Sequence, residues 1–137
     1  MICLCCGFDN SVTLKTVCTL TLDTKLLSGN VIGVNSGGNG GWKYRNARNL
    51  YSSYLNMHVK SFKVFSPVFL RITRLYKSRK YDKDNLIRGC KPLIDVLVRK
   101  KYIKEDNPSH LVVSYNQLKN NVKKEQILLE FASIQNE

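Results

Sequence analysis

The sequence predicts a mixed α+β fold, a single small domain with a β-sheet packed by two main helices. Three observations predict it. The chain has 137 residues and is 43% hydrophobic. That is single-domain length, and a chain this size buries roughly two-thirds of its unfolded surface without disulfides or a structural metal. Several segments are rich in β-branched residues with period-two alternation, and two stretches between them repeat their apolar residues at helical spacing.

Taken in order, residues 1–10 (MICLCCGFDN) read as a poorly ordered leader and residues 11–137 as the domain. The leader is apolar but short and has no basic start, so it does not read as a signal peptide. Residues 11–22, SVTLKTVCTLTL, read as a strand. A glycine-rich loop follows over 28–41 (SGNVIGVNSGGNGG). It holds neither a phosphate-loop motif nor a dinucleotide fingerprint. Residues 44–58 read as a helix, with Ala47, Leu50, Tyr51, Tyr54 and Leu55 on one face.

Residues 62–76 carry a long strand that begins after Pro67. Val68, Leu70 and Ile72 face one side and Arg71 the other. The basic stretch KSRK (77–80) comes next. A second helix spans 84–98, with Asp84 or Asn85 as its cap and Leu86, Leu93, Leu97, Ile87 and Ile94 as its core face. Pro92 implies a kink, or a helix start near residue 91. Residues 110–116 and 126–134 read as a closing antiparallel pair joined by a lysine-rich loop. Periodicity leaves the last segment open between strand and helix.

The net charge is +12 and the isoelectric point about 9.7. Such a surface predicts a polyanionic partner, nucleic acid before membrane, and no small-molecule substrate. The competing reading is a basic surface with no special role. No apolar run approaches the ~20 residues of a membrane span. The five cysteines (Cys3, Cys5, Cys6, Cys18, Cys90) are odd in number. With no secretory signal they indicate free thiols in a cytoplasmic protein. The CLCC cluster lacks paired zinc-ligand spacing, and His58 and His110 are isolated.

Two basic segments are candidate nucleic-acid contacts. Lys43, Arg45 and Arg48 rim the glycine loop beside Trp42 and Tyr44, and Lys77, Arg79 and Lys80 follow the strand in 62–76. The acids are distributed unusually. Asp82, Asp84, Asp95, Glu105 and Asp106 are half of the chain's 10 carboxylates and fall within 25 consecutive residues. Asp82 and Asp84 are two apart and point the same way in an extended segment. In a regular helix, steps of seven and eleven residues rotate about 700° and 1100°. Asp84, Lys91 and Asp95 then lie within roughly 40° of one line, and Asp106 can fold back from the next connection.

Clustered carboxylates repel, which raises their pKa values, unless a hard cation such as Mg²⁺ relieves them. With a lysine to neutralise phosphate charge, such a set suits metal-assisted phosphodiester hydrolysis. The same acids also fit surface salt bridges with their basic neighbours.

The run D82-K-D84-N85-L-I-R-G-C-K91-P-L-I-D95-V-L97, with I103-K-E105-D106-N107 after it and RITRLYKSRK (71–80) before it, resembles the RusA family of Holliday junction resolvases. The resemblance covers about residues 68–118 and reaches weakly to GWKYRNAR (41–48). It implies a RusA-like homodimer that cuts branched DNA in a Mg²⁺-dependent reaction. Asp82, Asp84 and Asp106 would be metal-binding catalytic acids and Lys91 a catalytic or phosphate-neutralising lysine. Asp95 matches a recurrent family acid, and Glu105 stands where the family usually has aspartate.

Overall fold

The computed structural model describes residues 13–32, 40–58, 67–120 and 124–135. The expected leader and its CLCC cluster, most of the glycine loop, the start of segment 62–76 and part of the lysine-rich loop lie outside those residues. Seven elements follow in order: β1 (Thr13–Leu22), α1 (Gly29–Ile32), α2 (Gly40–Leu55), β2 (Val68–Tyr76), α3 (Lys83–Arg99), β3 (Leu111–Lys119) and β4 (Gln126–Gln135). Four strands form one sheet in the order β1-β4-β2-β3. The domain is mixed α+β, and α2 and α3 are its two main helices.

The strand pairing corrects one expectation. The last two strands are not an antiparallel hairpin, because β2 lies between them. It pairs in parallel with β3, Val68 opposite Leu111 and Tyr76 opposite Lys119. On its other side it pairs antiparallel with β4. A parallel neighbour cannot be reached by a tight turn, and the crossover here is the segment that carries α3. β4 resolves the open reading as a strand. Its Ile127, Leu129 and Phe131 alternate and are fully buried, while β1 and β2 pair with it on both edges. On the opposite face, Arg71 and its register partner Glu130 form a two-bond ion pair at 2.9 and 3.0 Å.

The core lies between the sheet and the helices. Val68, Leu70 and Ile72 of β2 meet Leu86, Leu93, Ile94 and Leu97 of α3 and Ala47, Tyr51 and Leu55 of α2 in one buried cluster. α2 begins at Gly40, four residues before the expected start, so Trp42 and Lys43 belong to the helix and not to the loop. α3 runs unbroken through Pro92, which is buried. Its cap is Asp82, not Asp84 or Asn85. Gly89 fixes how closely α3 approaches the segment before α1. A Cβ at Gly89 would stand 1.9 Å from the carbonyl oxygen of Leu27. At the other end of α3, Lys101 takes the left-handed conformation (φ 65°) as the chain turns off the helix.

Candidate active site at the start of helix α3

The site begins with an arginine on the wrong side of its strand. Alternation along β2 puts Arg74 in phase with Leu70 and Ile72, on the core face, and it is 1% exposed. A buried guanidinium must be paired. One nitrogen of Arg74 donates to the carbonyl of Arg79 and to Gln117 Oε1, both at 2.9 Å, and the other donates to Glu125 at 3.0 Å. The guanidinium also lies 3.4 Å from the ring centroid of Tyr81. Gln117 in turn accepts from the Tyr81 amide and donates to its carbonyl, each at 2.9 Å. The Tyr81 hydroxyl donates to the carbonyl of Leu26 at 2.8 Å. The connection from β2 to α3 is therefore held from beneath, and the next residue is Asp82.

Asp82 is exposed and caps α3. Its Oδ1 accepts from the Asn85 amide at 2.8 Å, and its Oδ2 accepts from Asn85 Nδ2 at 3.0 Å. Asp84 stands in the first turn and pairs with Arg88 at 3.2 Å. Arg88 also donates to Asn85 Oδ1 at 2.9 Å, while its Nε is buried without a partner among the described residues. Arg88, which the spacing reading passed over, is thus the base beside Asp84. The signal was its i, i+4 placement after Asp84.

Lys91 sits elsewhere. Its ammonium pairs with Asp106 at 3.1 Å. Seven residues of helix separate Lys91 from Asp84, an axial distance of about 10 Å. Asp95 accepts a hydrogen bond from the Tyr44 hydroxyl of α2. Burial, then that bond and the Asp95 charge, hold the Tyr44 phenol well above its ordinary range. Asp106 adds to the same upward shift, as it does for Tyr115, pushed up to about 12 mainly by burial. Glu105 accepts from Asn107 at 2.8 Å.

The acids therefore fall into two groups along α3, with Asp82 and Asp84 at its start and Asp95 and Asp106 around Lys91 and Tyr44. Among the described residues, no three His, Cys, Asp or Glu side chains form a group that could hold a metal ion. The helical spacing predicts that Asp82, Asp84 and Asp95 converge with Lys91 and that Asp106 folds back to them, and no such group is seen among the described residues. Side chains that share a direction around an unbroken helix still stand apart by the rise of about 1.5 Å per residue along its axis. Asp82 and Asp84 alone still offer hard oxygen donors, and Mg²⁺ commonly takes only one or two protein carboxylates.

Asp82, Lys80 and Tyr81 line two clefts at once. One, of about 750 Å³, is bounded by Lys83, Leu86 and Ile87 of α3 and by Val113–Gln117 of β3. The other, of about 440 Å³, runs toward Lys25 and Asn30. Both open where β2 ends and the crossover begins, the usual position of ligand sites in sheets with parallel crossovers.

The predicted basic contacts divide as well. Lys77, Arg79 and Lys80 are exposed at this end of the sheet, while Lys43 and Arg45 are exposed on α2. Arg48 lies over the Tyr44 ring at 5.4 Å. No helix among the described residues is long and apolar enough to cross a membrane. No protein-family model matches the chain, and no curated protein matches it significantly.

Proposed function

We propose that the chain is a structure-selective endodeoxyribonuclease that resolves Holliday junctions, as its resemblance to the RusA family implies. One observation carries this reading. Asp82 lines both clefts, and Asp82 and Asp84 are exposed to solvent at the start of α3, in a chain of net charge +12. Lys80, Lys83 and Arg88 surround them. A basic surface brings the phosphate backbone in, and two carboxylates at its centre repel that backbone unless a cation joins them.

Asp82 and Asp84 would hold Mg²⁺, which supplies a lowered pKa for the attacking water and charge stabilisation at the leaving oxygen. The residues of the chain do the rest. Arg74, Gln117 and Tyr81 hold the backbone just before Asp82 in place before any ligand arrives. Arg88 stands where it can exchange its bond with Asp84 for one with a phosphate oxygen. Lys91 lies about two turns farther along α3, paired with Asp106 from the following connection, too far to share a phosphate with Asp84. A four-way junction is roughly two-fold symmetric and needs two paired cuts, so a homodimer with C2 symmetry suits this cytoplasmic role in recombination and repair.

A second reading is a non-catalytic DNA- or RNA-binding module. It is favoured by the pairing of Asp84 with Arg88, of Asp106 with Lys91, and by the cap that occupies Asp82. Cutting of a synthetic four-way junction in Mg²⁺ separates the two. Cleavage lost in Asp84→Asn supports the nuclease. Salt-sensitive binding without any cleavage by the wild-type chain supports the binding module.

A further inference from the structure

The smaller cleft joins two stretches that are distant in sequence. Lys25 and Asn30 come from the connection around α1, and Ser78, Arg79 and Lys80 from the connection between β2 and α3. Lys25, Arg79 and Lys80 are exposed, and none has an ion-pair partner among the described residues. Most other cations of this end are engaged, Arg74 with Glu125, Lys124 with Asp23 and Arg88 with Asp84. Three unpaired cations thus face one concavity of about 440 Å³, with the Ser28 hydroxyl and the Asn30 amide beside them.

Against these three cations the cleft holds one carboxylate, Asp82, so its field is positive, and the backbone that carries the cations is held on both walls. On one wall Arg74 holds the carbonyl of Arg79. On the other, the Tyr81 hydroxyl is bonded to the carbonyl of Leu26, next to Lys25. A bound anion complements that field.

We propose that this cleft is a phosphodiester subsite, which binds the backbone of the DNA strand on one side of the phosphate at Asp82. Lys25, Arg79 and Lys80 supply the charge, and Asn30 supplies a neutral donor. The assignment rests on the nuclease reading in placing the reacting phosphate beside Asp82, but the binding it describes requires no cleavage. Lys80, Tyr81 and Asp82 line both clefts, so a strand that runs from the smaller one into the larger passes Asp82.

The test measures affinity for a labelled four-way junction in EDTA across a series of salt concentrations. Neutralising one phosphate contact lowers the slope of log affinity against log salt by about one. Lys25→Gln should show that loss, and Lys25→Arg should restore the slope. Lys15→Gln should leave it unchanged, because Lys15 is exposed near the start of β1, at the opposite end of the sheet. Amide NMR supplies a second arm with the dinucleotide dTpdT and inorganic phosphate as probes. Shifts at Lys25, Asn30 and Lys80 with dTpdT support the subsite. Shifts with inorganic phosphate only, and an unchanged slope in Lys25→Gln, overturn it. If the slope is unchanged while the wild-type chain cuts junctions in Mg²⁺, the subsite fails and the nuclease reading stands. A reduced slope with no cutting supports the subsite and removes the nuclease.

Discussion

Asp82 is asked to do two things, cap α3 and bind the metal, and two substitutions separate them. Asp82→Asn retains one acceptor oxygen for the Asn85 amide, now 2.8 Å away. It removes the charge and presents an amide nitrogen to Asn85 Nδ2, now 3.0 Å from Oδ2. The expected cost is that of a negative charge near a helix start, about 0.3–1 kcal/mol at low salt. Asp82→Ala removes both acceptors as well, which adds about 1 kcal/mol for the lost cap. For a domain of this size 1 kcal/mol moves the melting temperature by roughly 3–4 °C. Calorimetry should therefore place Asn about 1–4 °C below the wild type and Ala about 4–8 °C below.

Junction cutting should be lost in both variants, far below their melting temperatures, because neither offers a carboxylate. Junction binding in EDTA should persist in Asn, since a negative charge facing phosphate has been removed. A wild-type cleavage rate in Asp82→Asn would refute the catalytic role. Equal melting of Asn and Ala would refute the capping role and leave the geometry at Asn85 without energetic meaning.

Other perturbations probe the parts that support the site. Arg74→Ala leaves Glu125, 11% exposed, without its partner, and should cost about 3–5 kcal/mol in urea unfolding. Gly89→Ala puts a methyl group against the Leu27 carbonyl and should destabilise by about 1–3 kcal/mol through overpacking. Lys101→Gly, at φ 65°, should be neutral or stabilising by up to about 1 kcal/mol. Burial holds Tyr44, Tyr51, Tyr81, Tyr102 and Tyr115 protonated above the ordinary phenol range. The folded chain then binds protons that the unfolded chain releases. The contribution of these tyrosines to stability should be constant well below pH 10 and be lost as the pH rises from there through about 12, the value for Tyr115, and beyond. Absorbance of tyrosinate and loss of circular dichroism should rise together in that window, and early ionisation of these groups in the folded state would contradict their burial.

The fold class and most elements follow from the sequence because they depend on local periodicity. The alternation of Val68, Leu70 and Ile72 is enough to define β2, and the face formed by Leu86, Leu93 and Leu97 is enough to define α3. Strand order is different. Whether residues 111–119 pair with β4 or with β2 depends on where α3 carries the chain, and periodicity says nothing about that. The sequence also marked the acidic stretch and its basic flanks as the region of interest. The tertiary structure decided which charges meet. Arg88, not Lys91, stands at Asp84, because four residues return to the same side of the helix one turn away. Lys91 takes Asp106 from the following connection. Lys25 reaches the cleft beside Asp82 in a connection that Tyr81 bonds at the Leu26 carbonyl. Spacing along a chain sets direction within one element, whereas distance between elements is set by packing.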